Sequence, residues 1–402
     1  MSRIYPAATI TAKAEKALRS GHVWVYGEEI TAMSAPCENG ALADVYTSKG
    51  RFMGTGFYND NSKITIRLIS RNANDRFDEA FWRRRLRYAI EYRQTVMGSD
   101  FSNCRLIFGE ADSFPGLTVD RFENVLVVQT MSLGMEKLKD MMLPAMVEIL
   151  ADMGQQIDIV YERNDAALRE KEGMSQGKGF YLGSGDGHVE ICENGVRYDV
   201  DYINGQKTGF FLDQKYNRQA VARLAKGRRV LDCFTHTGAF ALNAAAAGAE
   251  SVCAVDVSAD AIELAKANAV RNGLDGTMSF VKADVFDLLT QLHSEKRKDF
   301  DFIILDPPAF TKSGATVNSA IRGYREINSK AMRLLPRGGY LATCSCSHFM
   351  TDDLFRQMLK NAAADAAVSL RQIEARQQGP DHPILWNVPE TDYLKFYIFQ
   401  VV

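Results

Sequence analysis

Apolar and polar residues change rhythm twice along this chain. Over residues 1–72 the alternation is strand-like. Ala41-Leu42-Ala43-Asp44-Val45-Tyr46 and Ile64-Thr65-Ile66-Arg67-Leu68-Ile69 approach a period of two, and the second run is rich in β-branched side chains. Gly50, Gly54, Gly56 and Asn59-Asp60-Asn61 punctuate them, which predicts a small barrel-like β domain. From Phe77 to Met97 the spacing turns helical, with Phe81, Trp82, Leu86 and Ile90 on the apolar side. Strands are predicted at 117–121, 125–130 and 158–162, with a helix from Gly134 to Met153, so residues 73–185 read as a central α+β domain. From 186 to 402 strands and helices alternate, the pattern of a parallel sheet covered by helices.

Within that last region the strands end in acids. Arg228–Asp232 leads into the turn Cys233-Phe234-Thr235-His236-Thr237-Gly238 and an Ala-rich helix. The next strand, Ser251–Asp256, ends in a second acid, 18 positions beyond Gly238. A carboxylate so placed can accept hydrogen bonds from both hydroxyls of a ribose. The turn itself lacks the three glycines that let backbone approach a pyrophosphate. A cofactor without phosphates needs no such cradle, and S-adenosylmethionine is one. Asp232, Phe234, Thr235, Gly238, Asp256 and Val257 are therefore assigned to the cofactor. A third strand end offers Asp284 to the adenine amino group, with Val285 or Phe286 covering the ring. A fourth, Phe302–Leu305 with its lead-in, ends in Asp306-Pro307-Pro308-Ala309-Phe310, where the prolines stop the ladder and hold Asp306 at the carboxyl rim of the sheet. Asp306 and Pro307 are assigned to this rim as well.

Composition narrows the class. With 402 residues, 46% hydrophobic and 24% charged, the chain reads as globular with two or three domains. A net charge of −2 provides no global basic field, so any nucleic-acid surface must be local. The basic block Arg83, Arg84, Arg85 and Arg87 is either a phosphate-contacting face or a solvated helix face. Seven cysteines without a disulfide-like spacing suit a reducing cytoplasm. No secretory signal and no membrane-spanning apolar run is expected, and no metal.

Two of those cysteines carry the chemistry. Cys344 and Cys346 follow the strand-like run Gly339–Thr343, on the edge that holds Asp306. A thiolate beside a methyl donor suggests addition to C6 of a pyrimidine, which makes C5 nucleophilic enough to accept a methyl group. At an unperturbed pKa near 8.5 a thiol is only a few per cent ionised at pH 7, so the site must favour the anion. Asp306 would hold the N3/N4 edge of a cytosine that is single-stranded or flipped out. Alternation puts 344 and 346 on one face, so periodicity leaves the choice between them open.

The chain resembles, almost end to end, the bacterial large-subunit ribosomal RNA methyltransferase I family, which is cytosine-5 specific. The resemblance is carried by Gly21-His22-Val23-Trp24, the run from Phe108 to Arg121, Tyr161–Asp165, Glu172-Gly173-Met174, Gly205–Gln214, Asn217-Arg218 and Ser345-Cys346-Ser347. It implies a PUA-like RNA-binding domain at 1–72, the central α+β domain at 73–185 and a Rossmann-like class I methyltransferase domain at 186–402 with a seven-stranded, mostly parallel sheet. It implies that Cys346 is the nucleophile. Lys207, Thr208, Phe211, Asp213 and Gln214 match a segment bordering the donor pocket. On this view S-adenosyl-L-methionine is the cofactor, and the partner is ribosomal RNA of the large subunit or its assembly intermediate. Arg83, Arg84, Arg87, Lys207 and Lys312 are then the expected RNA contacts, and the N-terminal β domain allows a homodimer. Two departures stand out. Ala309 occupies the position where other RNA cytosine-5 methyltransferases carry a second cysteine, and His348 follows the nucleophile motif where close relatives often have glycine.

Three rival readings differ in chemistry. Asp-Pro-Pro-aromatic loops also resemble those that methylate exocyclic or ring nitrogens of guanine or adenine, without a cysteine. A non-catalytic RNA-binding assembly factor would not need the acids at 232, 256, 284 and 306. A nicotinamide oxidoreductase would need the missing glycine fingerprint.

Overall fold

The computed structural model describes residues 4–402 and resolves into two units. One holds the residues up to Ile191 with Val200–Leu212 and Pro380–Thr391. The other holds Cys192–Asp199, Asp213–Gly379 and Asp392–Val402.

In the first unit the alternating N-terminal runs form a six-stranded sheet. Its spatial order is Trp24–Tyr26, Ile64–Ser70, Phe52–Tyr58, Leu42–Thr47, Ala7–Ile10, Ile30–Met33. All neighbours are antiparallel except Ala7–Ile10 beside Leu42–Thr47. Gly56 is required by the close approach of its partner strand, since a Cβ there would lie 2.3 Å from the Arg67 carbonyl oxygen. A helix absent from the strand-rich expectation, Ala12–Arg19, starts at Thr11, whose hydroxyl accepts from Ala14 N, and buries Ala14 and Leu18 against Ile10, Val25, Val45 and Ile66. A five-stranded sheet follows, in the order Gly177–Leu182, Ile159–Asn164, Val125–Thr130, Leu117–Phe122, Asn103–Phe108. The predicted helices are Glu79–Met97, capped by Asp78, and Leu133–Asp152.

The second unit is built on seven strands, here β1 (Arg229–Cys233), β2 (Ser251–Asp256), β3 (Met278–Lys282), β4 (Phe302–Leu305), β5 (Tyr340–Ser345), β6 (Leu370–Arg376) and β7 (Lys395–Val401). Their order is β3-β2-β1-β4-β5-β7-β6. The first five are mutually parallel, and β7 runs antiparallel to both β5 and β6. β4 is buried at every residue and all but the first residue of β5 is buried, as their unbroken apolar runs require for strands covered on two faces. The order reverses at β1, so the carboxyl ends of β1 and β4 open a crevice between them, the place where open α/β sheets bind ligands. Helices α1 (Lys215–Ala225), α2 (Ala239–Ala246), α3 (Ala259–Arg271), α4 (Val285–Ser294), α5 (Val317–Leu334) and α6 (Asp352–Ala366) supply the covering layers. Among the described residues no helix is long and apolar enough to cross a membrane.

Candidate active site

The β1 end delivers Asp232, fully buried. Its Oδ2 accepts from the Thr235 hydroxyl at 2.6 Å and from Ala241 N at 3.0 Å. Its Oδ1 is buried with no partner among the described residues. Burial pushes this carboxyl up to about 7, against the hydrogen bonds from Thr235 and Ala241. The turn after it is left-handed at Phe234 (φ 65°), His236 (φ 49°) and Gly238 (φ 82°). Non-glycine residues in that region store strain of about 1–3 kcal/mol each and cluster at functional sites. A Cβ on Gly238 would meet Ala265 Cβ at 3.1 Å, so the turn is both conformationally and sterically a glycine site.

Asp256, at the β2 end, holds its loop. Oδ2 accepts from His236 N and Oδ1 from Ser258 N, each at 2.9 Å. A carboxylate has further lone-pair sites, so both oxygens retain capacity for hydroxyls. Val257 beside it is 66% exposed, an apolar platform left open. Asp284 also caps its helix. Its Oδ1 caps α4, accepting from Phe286 N at 2.7 Å and Asp287 N at 3.4 Å. Val285 turns into the core with Leu289 and Ile303, and Phe286 packs on Phe310 at 5.8 Å.

An orphaned buried carboxylate oxygen, a cradle that only glycine fits and an uncovered apolar side chain together suit S-adenosylmethionine: an ammonium group, a ribose and a flat adenine.

The neighbouring ends of β4 and β5 carry the reactive groups. Leu305 pairs with Thr343, which brings Asp306 alongside Cys344. The Cys344 thiol donates to Asp306 Oδ1 at 2.9 Å and to Leu305 O at 3.4 Å. Gln214 Nε2 donates to the same Oδ1 at 3.2 Å, while its Oε1 accepts from Asn217 at 2.6 Å. Asp306 Oδ2 bonds to nothing among the described residues. Burial pushes Asp306 up to about 6, helped by the nearby Asp213 and opposed by Cys344, Arg218 and Gln214. Cys344 is 1% exposed, and burial followed by Asp306 pushes its thiol well above the ordinary range. Cys346 lies one residue past the end of β5, partly exposed, with Sγ 4.0 Å from Pro307 O. The two-residue equivalence of the cysteines is thus broken by the strand's end: one is sealed in the sheet, the other stands at its rim.

The serines on either side hold the nucleophile segment. Ser345 Oγ donates to Tyr324 OH on α5 at 3.0 Å, and Ser347 Oγ to Thr311 O at 2.8 Å. Lys395, the first residue of β7, donates to Ser347 O at 2.6 Å and Tyr393 O at 2.8 Å. The Tyr393 hydroxyl donates to Asp213 Oδ2 at 2.6 Å. Sequence reasoning missed Tyr324, Tyr393 and Lys395. The available signal for the last was a lone lysine heading the apolar run Phe396-Tyr397-Ile398-Phe399. His348 Nδ1 is buried and unpartnered among the described residues.

The expected RNA contacts are Arg83, Arg84, Arg87, Lys207 and Lys312. Arg83 pairs with Glu148 at 2.6 Å and Arg87 with Asp152 at 3.1 Å, both as surface pairs. Arg84 lies over the Phe81 ring at 5.6 Å, and Arg85 over the same ring at 4.5 Å. Lys207, in the first unit, is exposed with its ammonium 4.8 Å from the Phe211 ring centre. Thr208 donates to Asp120 Oδ2 at 2.6 Å, tying its segment to the five-stranded sheet. Lys312 is exposed on the loop after Pro308.

Comparison with known proteins agrees with this geometry. A family described as S-adenosylmethionine-dependent methyltransferase matches residues 176–399, and one described as a PUA-like domain matches residues 8–71. The fold is shared with a chain from Streptococcus mutans described as a SAM-dependent methyltransferase (TM-score 0.83, 22% identity, covering 98% of this chain and 100% of that one). A structure of equal TM-score, with 21% identity, was solved in complex with SAH. The protein is a class I methyltransferase that uses S-adenosylmethionine. "Ribosomal RNA large subunit methyltransferase I" of Pseudoalteromonas translucida is 39% identical over 398 residues, covering 98% of this chain and 99% of the relative. That of Alteromonas mediterranea is 38% identical over 389 residues, with 96% of each covered. The chain belongs to the ribosomal RNA large subunit methyltransferase I family.

Proposed function

We propose that this protein methylates C5 of a cytosine in large-subunit (23S) ribosomal RNA, in the cytoplasm, through a covalent bond between Cys346 and C6. The observation that carries this reading is the position of Cys346: beyond the end of β5, partly exposed, and beside Asp306-Pro307 on the ligand rim. Residues 1–72 and 73–185 are assigned to holding the RNA, with Arg83, Arg84, Arg87, Lys207 and Lys312 as phosphate contacts, and 186–402 to the reaction.

Asp232 through its open Oδ1, the Phe234-Thr235-Gly238 turn, Asp256 and Val257, and Asp284 with Val285 and Phe286 would hold the donor. Asp213 and Gln214 would support this wall, and Phe211 is assigned to the donor as well. Bound S-adenosylmethionine supplies a sulfonium methyl group to the activated ring carbon.

The Cys346 thiolate adds to C6, forming the S–C6 bond as the C5–C6 π pair shifts toward C5 and N3. Asp306 stands at the N3/N4 edge. A carboxyl held at about 6 exchanges protons near neutrality, so it can give N3 the proton that makes the adduct neutral and later take it back. C5, now part of an enamine, carries the nucleophilic pair. After methylation a base removes the C5 proton, the C6–S bond breaks, and Cys346 leaves as thiolate. Cys344 stays protonated against Asp306 throughout.

The test is methyl transfer from labelled S-adenosylmethionine to unmodified large-subunit RNA, with nucleosides resolved by mass spectrometry. Wild type should yield 5-methylcytidine. Cys346→Ala should lose more than about 10³-fold in rate while still binding S-adenosylhomocysteine. Full activity in that variant, or a product methylated on nitrogen, would sink the proposal.

A further inference from the structure

We propose that Lys395 is the counter-ion of Cys346, a positioning residue that keeps the nucleophile ionised before RNA arrives. The inference rests on the covalent mechanism proposed above.

The register makes the arrangement. β7 is antiparallel to β5, with Lys395 directly opposite Ser345. Its ammonium therefore reaches the turn that carries Cys346, where it is tied to the carbonyls of Ser347 and Tyr393. An ammonium has three N–H donors, and two are accounted for by these carbonyls. Lys395 is 5% exposed, yet no carboxylate is in ion-pair contact with it among the described residues. Buried cations are ordinarily paired with an anion. Two neutral carbonyls do not supply one.

The acidic groups that face it are few. Asp392, on the approach to β7, and Asp352, at the start of α6, act on it from beyond contact, and so does Cys346. Burial pushes Asp392 up, and its Oδ1 is buried without a partner among the described residues; it is the foremost of the charges that favour the ammonium. Asp352 accepts from the Tyr397 hydroxyl. His348 faces Asp392 as a further titratable group. Cys346 is also faced by Cys344 and by the Tyr324 hydroxyl, whose burial raises both above their ordinary ranges and keeps them neutral. Cys346 thus joins Asp392 and Asp352 as an acid facing Lys395, and it is the one carried on the turn whose Ser347 carbonyl the ammonium holds. Burial lowers the lysine to about 8, which still leaves it cationic at pH 7.

Ionisation is the whole of the step. Cys346 S–H releases its proton to solvent, the electron pair stays on sulfur, and Lys395 remains an ammonium that neither gives nor takes a proton. A purely structural lysine would hold the two carbonyls and leave the thiol alone.

The experiment is alkylation of the purified full-length protein by iodoacetamide from pH 5.5 to 10. Cys346 is read by peptide mass spectrometry, with exposed Cys192 as internal control. In wild type the Cys346 midpoint should fall below that of an ordinary thiol, about 8.5. A wild-type midpoint at or above that value overturns the proposal, whatever any variant does. In Lys395→Met the midpoint should rise by about one unit or more, with alkylation at pH 7 slowed about 10-fold. The kcat should fall in step, while affinity for S-adenosylhomocysteine is unchanged. Lys395→Arg, which keeps the charge, should stay near wild type. Equal midpoints in wild type and Lys395→Met, or equal shifts in Met and Arg variants, would refute the role of charge. Because alkylation needs no RNA, its failure is separate from retained activity of Cys346→Ala, which would instead defeat the covalent mechanism.

Discussion

Asp306→Asn is expected to raise the stability of the fold above pH 6 while abolishing methyl transfer. Asparagine has nearly the same shape, and its carbonyl oxygen still accepts the Cys344 thiol and the Gln214 amide, now at 2.9 and 3.2 Å. What disappears is the ionisation. The carboxyl sits at about 6 in the folded protein against 3.8 ordinarily. Below about pH 4 it is protonated in both folded and unfolded chains and adds no penalty. Between about pH 4 and 6 the unfolded chain loses the proton first, so the fold loses stability as pH rises, and above that the penalty is complete. At 1.36 kcal/mol per unit, a shift of about two units sets an upper bound of about 3 kcal/mol. Thermal unfolding from pH 4 to 8 should show the variant melting about 5–10 °C higher at pH 8, with the gain vanishing near pH 4. A variant no more stable than wild type at pH 8, or a difference independent of pH, would show that the buried carboxyl is not held above its ordinary range. The methylation assay on the same samples should show activity lost, which would make Asp306 a group retained for chemistry at the expense of the fold.

Two further outcomes follow from the same unit. Arg218 and Glu193 form a bidentate pair at 2.6 and 3.1 Å, 3% and 0% exposed. Arg218→Met should therefore lose about 3–5 kcal/mol in urea unfolding, and adding Glu193→Leu should recover most of it. Gly238→Ala meets both a positive φ and the Ala265 contact, so it should lose about 1–2 kcal/mol and weaken S-adenosylhomocysteine binding in calorimetry.

What the sequence made legible was the frame of the site. Acids at strand ends, a single-glycine turn and a double proline are local signals, and Asp232, Gly238, Asp256 and Asp306 stand on the rim the pattern predicts. Ser251–Asp256 and Val125–Thr130 were legible to the residue. The remainder depended on contacts between distant positions. Arg83 and Glu148 are 65 residues apart, so the helix read alone does not show their ion pair. Lys395 reaches Ser347 across 48 residues, through an antiparallel register that the pattern does not encode. Asp284 shows a different limit. A helix cap and an adenine ligand ask for the same residue at the same place, and the hydrogen bonds to Phe286 and Asp287 show the cap, which engages Oδ1. The helix at Ala12–Arg19 was overlooked because its eight residues lie among strands.

The reversal of β7 has a practical consequence for anyone who would label or redesign this enzyme. Because β7 runs against β5, its first residue, Lys395, lies at the catalytic rim and its last, Val401, beside Gly339 at the opposite edge. Changes before β7 therefore alter the reacting edge, whereas a fluorophore, an affinity handle or a fused domain attached beyond Val401 would project from the far side of the sheet. The same polypeptide strand offers one end for tuning the chemistry and the other as an attachment point remote from it.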